Sequence, residues 1–375
     1  MNNLKTIMIV CGEESGDLLG AALMQELQAH LPGTRFVGVG GQAMAAQGLQ
    51  SAVPLEDVAM MGLFEVLPHI PRFIGHIRRV ARLAKLEQID ALITIDSPDF
   101  TLRVAKKIKK QMDVPCIHWV SPQVWAWRAG RVKKMAQYLD HVLALFPFEP
   151  AAYDKTGLQC TFVGHPVAER MDKYGVKAEG LNVPPRLAVL PGSRGSELKR
   201  IAPLFAEVVR LLQQKLPDLE VVIPVAELFK VEQLMDYFRD IPHLRLVQGK
   251  EKFVALKGCD AALTKSGTSN LELACLGLPH VVAYKIGNLT YKVLSKLVKV
   301  PYISPVNLVA AAPVVPEFIQ DKAYPSALAN ALLPLLANTQ IRQKQRLGLE
   351  QVREALTTPD KTPAQRAAAV VLAYL

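Results

Sequence analysis

Leu187-Ala188-Val189-Leu190-Pro191-Gly192-Ser193-Arg194-Gly195-Ser196-Glu197 reads as an apolar strand that ends in a turn of small residues and opens a helix. A second segment has the same grammar: the apolar run 261–263 leads into Ser266-Gly267-Thr268-Ser269-Asn270-Leu271-Glu272, where another helical pattern begins. Where a strand stops and a helix starts, the first backbone N–H groups have no partner inside the helix, and the positive end of the helix dipole points at the same place. Such a turn holds an anion well. A single turn of this kind is equally an ordinary helix cap. Two of them in one half of the chain, one carrying an Arg, point to a diphosphate held between two loops, and so to a nucleotide-linked substrate.

The same alternation extends outward from these turns. Short apolar runs lie at 6–11, 35–39, 91–95, 116–120, 141–144 and 161–163, and again at 187–190, 220–224, 245–247, 261–263 and 281–284. Continuous apolar strands separated by helical patterns predict parallel sheets covered on both faces. The expectation is an α/β protein with two doubly wound, Rossmann-like domains facing a cleft. The first domain is placed at 1–172 and the second at 185–355, with the polar stretch 171–185 between them and its Pro184-Pro185 opposing both helix and sheet. A C-terminal helix at 360–375 is able to cross back and complete the first domain.

Composition excludes several classes. The 375 residues are 50% hydrophobic and 21% charged, which is globular and not disordered. No apolar run approaches the roughly 20 residues that span a bilayer, and the start shows no signal-peptide pattern, so a cytoplasmic location is expected. The five cysteines form no C-x-x-C pair and read as buried thiols, and no metal-ligand spacing appears. A net charge of +10 permits nucleic acid, anionic lipid or phosphorylated metabolites as partners. Nucleic acid is disfavoured, because no recognised motif is present and aromatics are only 6%.

The first half carries four further constellations at strand ends. Gly12-Glu13-Glu14-Ser15-Gly16-Asp17 follows the first strand; its carboxylates would repel a pyrophosphate and suit sugar hydroxyls or a general base, while Ser15 or Asp17 can cap the next helix. Ile95-Asp96-Ser97-Pro98-Asp99-Phe100 puts a carboxylate at a buried strand end, where low dielectric raises its proton affinity. The alternative is that Asp96 or Asp99 caps the helix near Thr101. Ser121 through Arg128 includes Trp125 and Trp127, indoles that stack on sugar or pack a domain interface. Gly164-His165-Pro166 ends another strand, and a lone His there is more often structural than catalytic.

In this order the segments resemble the lipid-A-disaccharide synthase family, inverting glycosyltransferases of the GT-B fold, from about residue 6 to beyond 320. The Ser-Pro-x-Val-Trp-Ala-Trp-Arg piece is the most specific. Ser-Gly-Thr-x-x-Leu-Glu is shared with other nucleotide-sugar enzymes. One departure stands at Ser304-Pro305-Val306-Asn307-Leu308, where the family commonly has Leu-Pro-Asn-Leu followed by Ala-Gly. The resemblance implies UDP-2,3-diacylglucosamine as donor and 2,3-diacylglucosamine 1-phosphate (lipid X) as acceptor. It implies a β-1,6 bond formed with inversion, release of UDP, and no cofactor or metal. Asp96 is then the candidate base, with Glu13 as rival. Ser193, Arg194, Ser266, Gly267 and Thr268 would hold the UDP diphosphate, and Glu272 the ribose. Ser15, Trp125, Arg128, His165 and Asn307 are assigned to the acceptor side of the cleft.

Acylated substrates give the two basic-apolar segments a role. Met61, Leu63, Phe64 and Phe73 lead into Arg78 and Arg79, and Leu294 and Val298 share a pattern with Lys292, Lys296 and Lys299. Both suit peripheral contact with the anionic cytoplasmic face of an inner membrane; the plain alternative is an amphipathic helix with a solvated basic face. Another UDP-GlcNAc transferase or epimerase, a non-catalytic nucleotide-sugar sensor and a basic nucleic-acid-binding protein are the competing readings. The oligomeric state is left open.

Overall fold

β1 (Thr6–Cys11) is apolar along nearly its whole length and buried beyond its first residue. Its side chains alternate between two cores, as strand geometry requires. Met8 and Val10 pack with Phe73, Ile77 and Val80, whereas Ile7, Ile9 and Cys11 pack with Leu23, Leu27, Ala367 and Val371. A strand of this kind lies inside a sheet covered on both sides. The computed structural model describes residues 4–59, 70–124, 130–177, 180–192, 195–225, 231–287, 291–292, 295, 300–337 and 339–375.

β2 (Arg35–Val39), β3 (Gln50–Ser51), β4 (Ala91–Ile95), β5 (Cys116–Trp119), β6 (His141–Ala144) and β7 (Gln159–Phe162) complete the first sheet, in the order β3-β2-β1-β4-β5-β6-β7. The second sheet holds β8 (Arg186–Leu190), β9 (Glu220–Pro224), β10 (Leu244–Val247), β11 (Ala261–Lys265), β12 (His280–Tyr284) and β13 (Glu317–Ile319), in the order β10-β9-β8-β11-β12-β13. Every strand pairing in both sheets is parallel. Each sheet therefore runs outward from its first strand, returns, and runs outward on the other side, which is the doubly wound α/β architecture. The edge strands β3 and β13 are additions to the strands read from the sequence.

The chain divides into two compact units, Met1–Gly164 with Thr358–Leu375, and His165–Thr357. The first division precedes the polar 171–185 stretch. Helix Pro166–Asp172 packs on helix Thr268–Cys275 and so goes with the second unit. The polar stretch is itself tied down there: Lys177 N–H donates to Leu276 O at 2.9 Å, and the buried Asp260 accepts from Asn182 N at 3.1 Å and Arg186 N at 2.8 Å. The last helix, Pro363–Leu372, starts with a Thr362/Gln365 capping box and places Ala364, Ala367, Ala368 and Val371 in the core of the first unit.

The five cysteines are free, and burial pushes all of their thiols up to about 12, which leaves them inert. Among the described residues no helix is long and apolar enough to cross a membrane.

Asp17 does not cap its own helix, Glu14–His30. Its buried carboxylate accepts from Gly41 N at 2.7 Å, Ala43 N at 2.8 Å and Met44 N at 3.1 Å, so it caps helix Gln42–Ala46 from across the sheet end. Three orphan donors depend on one anion. Asp17→Ala is expected to cost about 3 kcal/mol of unfolding free energy, read from the urea midpoint. A loss below about 0.5 kcal/mol would show that the cap is dispensable.

Candidate functional site

In a doubly wound sheet, ligands bind beyond the carboxyl ends of the strands at the point where strand order reverses. In the first unit that point lies between β1 and β4, where Cys11 pairs with Ile95. The turn after β1 holds Gly12 and Glu13, and the turn after β4 holds Asp96 and Ser97. The two turns touch at Gly12, since a Cβ there would lie 2.5 Å from Ser97 Cβ. Glycine is therefore required by the close approach, and the Gly12 position sets how near the two acidic turns stand.

Asp96 and Ser97 both have positive φ, 51° and 41°. For non-glycine residues this costs on the order of 1–3 kcal/mol each, least for Asp. The surroundings impose it. Asp96 N–H donates to Trp119 O at 2.9 Å, Ser97 N–H donates to Asp96 Oδ1 at 2.7 Å, and Thr101 Oγ1 donates to Asp96 O at 2.5 Å. Helix Thr101–Lys109 begins without a side-chain cap, so neither Asp96 nor the exposed Asp99 serves as one. Burial raises the proton affinity of Asp96 above the ordinary carboxylate value, and the Ser97 N–H bond partly opposes this. Among the described residues only Oδ1 of this carboxylate receives a hydrogen bond, which leaves Oδ2 for an incoming hydroxyl. Glu13 is exposed and stands at the N-terminal boundary of its helix with an extended backbone, and Ser15 is exposed in the first turn.

The second unit has its reversal between β8 and β11, where Leu190 pairs with Thr264. Helices Gly195–Gln213 and Thr268–Cys275 start beyond these two adjacent strand ends, so their first N–H groups converge on one edge of the sheet. Gly267 has φ 153° and precedes the second helix. Its turn is braced by Asn270 Nδ2, which donates to Gly267 O at 2.9 Å, and by Ser266 Oγ, which donates to Ile303 O at 3.1 Å. Thr268 is exposed at the first helical position. Ser193 and Arg194 lie outside the described residues, as do Trp125, Arg128, Met61, Leu63, Phe64, Leu294 and Val298.

Glu272 is buried, and each of its oxygens has a cationic partner. Oε1 accepts from Arg170 Nη2 at 2.6 Å and Oε2 from Lys252 Nζ at 2.8 Å. Both cations also lie over the Phe253 ring, at 5.6 Å and 4.6 Å from its centroid. Arg170 and Lys252 are site neighbours that the sequence reading missed, because no local motif joins them to Glu272.

Three assignments are corrected by the structure. His165 caps helix Pro166–Asp172: its Nδ1 accepts from Val167 N at 3.1 Å, and burial, with Arg170 nearby, lowers its pKa to about 4. It is a neutral structural imidazole and not an acceptor ligand. Asn307 is buried, donating from Nδ2 to Val315 O at 2.8 Å and Glu317 Oε1 at 2.7 Å and accepting from Val315 N at 2.9 Å. Its amide ties helix Pro305–Ala310 to Val315 and to Glu317 of β13, and both amide protons are spent within the protein. Phe73 faces inward against Phe100, with ring centroids 5.6 Å apart, and so makes no membrane contact. Arg78 and Arg79 lie exposed on the same helix, Ile70–Leu86, without an ion pair among the described residues. Among those residues no grouping of three or more His, Cys, Asp or Glu could hold a metal.

The raised pKa of Asp96 gives a stability signature. The folded protein binds this proton more tightly than the unfolded chain does. The contribution to stability is full below the ordinary value of 3.8 and is lost as pH rises through the raised folded value. Asp96→Asn keeps an acceptor for Ser97 N–H and removes the buried charge. It is expected to raise the denaturant midpoint at pH 7 and to lose that advantage below about pH 4. Equal midpoints for variant and wild type at both pH values would contradict the burial.

The comparisons with known proteins converge on one family. The family model for lipid-A-disaccharide synthetase matches residues 7–371. Lipid-A-disaccharide synthase of Pseudomonas aeruginosa is 43% identical over 88% of this chain and 89% of its own. The enzyme of Rhodospirillum centenum is 39% identical over 98% of this chain and 94% of its own. Among solved structures, Acinetobacter baumannii MurG superposes with a TM-score of 0.62 at 12% identity, covering 98% of this chain and 99% of its own. The UDP co-structure of Staphylococcus aureus MnaA gives 0.62 at 12% identity, covering 98% and 95%. At such identities these two neighbours speak for the two-domain fold alone. The family model and the relatives go further: the chain belongs to the lipid-A-disaccharide synthetase family.

Proposed function

We propose that the protein joins UDP-2,3-diacylglucosamine to 2,3-diacylglucosamine 1-phosphate through a β-1,6 bond, with inversion and release of UDP, in lipid A biosynthesis. The observation that carries this reading is the chemistry of the two strand-order reversals. One presents a half-buried carboxylate with one oxygen that receives no hydrogen bond among the described residues, and the other presents two helix starts.

In inverting transfer the acceptor hydroxyl loses a proton as it attacks the sugar C1, and UDP leaves from the opposite face. Asp96 Oδ2 takes the 6-hydroxyl proton, and its raised proton affinity suits that task. Glu13, exposed and on the adjoining turn, is the rival base. The helix starts after β8 and β11 offer backbone N–H groups to the diphosphate, with Ser193, Arg194, Ser266, Gly267 and Thr268 as its ligands and the Arg fork pairing two oxygens. Glu272, held in place by Arg170 and Lys252, accepts from the ribose hydroxyls through its remaining lone pairs. Asp96 belongs to the first unit and the assigned diphosphate ligands to the second. Ser15, Trp125 and Arg128 are assigned to the acceptor.

Acylated substrates call for contact with a lipid surface. Helix Ile70–Leu86 leaves Ile74 and Leu86 exposed, 41% and 74%, beside Arg78, Arg79, Arg82 and Lys85. We assign this face to peripheral contact with anionic lipid on the cytoplasmic side of the inner membrane.

Incubation with the two acylated substrates should yield UDP and the disaccharide 1-phosphate. Asp96→Ala is expected to lower turnover by about 10²–10⁴ while UDP affinity stays near wild type. Turnover within about tenfold of wild type would remove Asp96 from the base role and favour Glu13. Arg194→Ala is expected to weaken UDP binding by about tenfold in calorimetry, and unchanged affinity would place the diphosphate elsewhere. Wild-type protein should co-sediment with phosphatidylglycerol vesicles at low salt and be released at high salt. Arg78→Glu/Arg79→Glu should weaken this binding, and equal binding by variant and wild type would move the contact off this helix.

A further inference from the structure

The carboxyl ends of β12 and β13 frame a second concavity, one strand beyond the β8–β11 reversal. A cavity of about 370 Å³ is lined by Arg200, Lys285, Ile286, Gly287, Gln320 and Asp321. Lys285 follows β12 directly, Gln320 and Asp321 follow β13, and Arg200 projects from helix Gly195–Gln213. All of these residues belong to the second unit.

The wall of this cavity is held rigidly. The Gln320 carboxamide grips the Ile286 peptide from both sides: Oε1 accepts from Ile286 N at 2.7 Å and Nε2 donates to Ile286 O at 3.1 Å. Gln320 is itself buried and has φ 51°. A buried side chain in an unfavourable backbone conformation thus fixes the segment that carries Lys285. Among the described residues the two cations of the cavity are not compensated. Arg200 and Lys285 make no ion pair with any described residue, and Asp321, the one carboxylate among the described lining residues, is exposed and paired with neither. Two cations held beside a concavity of this size are complementary to a compact dianion with room for the ring that carries it.

From these observations we infer that Arg200 and Lys285 form a phosphoryl-binding subsite for a sugar phosphate, with Asp321 and the Ile286–Gly287 backbone facing the sugar hydroxyls. The inference deepens the proposed glycosyl transfer and rests on it for the identity of the ligand. Two groups of that reaction share the chemistry, the diphosphate of the donor and the phosphate monoester of the acceptor. None of the described residues that line this cavity belongs to the β8 turn or the β11 turn.

The test measures binding and not turnover, so the subsite can fail while the glycosyl transfer stands, and the reverse. Dissociation constants for UDP and for 2,3-diacylglucosamine 1-phosphate are measured by calorimetry in the full chain. The panel is wild type, Arg200→Gln, Lys285→Gln, the double variant and Lys285→Arg. The double variant is expected to weaken one of the two ligands by about tenfold, with Lys285→Arg close to wild type. A loss confined to the sugar phosphate assigns the subsite to the acceptor, and a loss for UDP assigns it to the donor diphosphate. Both constants staying within about threefold of wild type in the double variant overturns the inference. Should the double variant fail to fold, the same thresholds apply to each single variant. Failure of the wild type to release UDP from the acylated pair would count against the reaction and leave the two binding constants decisive for the subsite.

Discussion

Strand order is the constraint on which the rest of this protein depends. Each parallel sheet begins at an inner strand, builds outward, and then resumes on the other side of that strand. The two connections that leave adjacent strands at the reversal depart to opposite faces, and a crevice opens between them. The same topology therefore makes two crevices from one chain, at β1/β4 and at β8/β11. What differs is the chemistry placed in each. The first receives acidic turns crowded against Gly12, and the second receives helix starts and small residues. A transfer that must take a proton from one substrate and hold the phosphates of another needs that pair of environments.

Strain and charge are concentrated where the chemistry is assigned. Asp96 and Ser97 hold an unfavourable backbone conformation because Trp119 O, Thr101 Oγ1 and the Gly12 contact leave the turn no alternative. Their cost is met by a core in which β1, β4 and β5 are almost completely buried. Glu272 shows the complementary device: a buried carboxylate whose two oxygens are each paired with a different cation. Removing either cation would leave one oxygen of this buried carboxylate without its partner, so the three side chains are held together.

Much of the fold was legible because buried parallel strands are continuous apolar runs. The segments 6–11, 35–39, 91–95, 141–144 and 220–224 coincide with β1, β2, β4, β6 and β9. β3 and β13 escaped because two or three residues at a sheet edge carry no apolar pattern. Side-chain roles were less legible wherever the partner is distant in sequence or belongs to the backbone. Asp17 looked like a local cap, yet its three donors begin at Gly41. His165 and Asn307 were assigned to the acceptor, yet His165 caps its own helix through Val167 N, and Asn307 spends its amide on Val315 and Glu317, eight and ten residues on. Phe73 read as surface because its neighbours are basic, but helical periodicity turns it inward with Ile77 and Val80. Asp96 was legible as a carboxylate at a buried strand end; its positive φ and its single occupied oxygen were not.

The most direct measurement is a crystal structure of the full chain with UDP bound. The account predicts the diphosphate between the turns that follow β8 and β11, within hydrogen-bonding distance of the first backbone N–H groups of helices Gly195–Gln213 and Thr268–Cys275. A diphosphate seated away from both helix starts, or on the first unit beside Asp96, would contradict it.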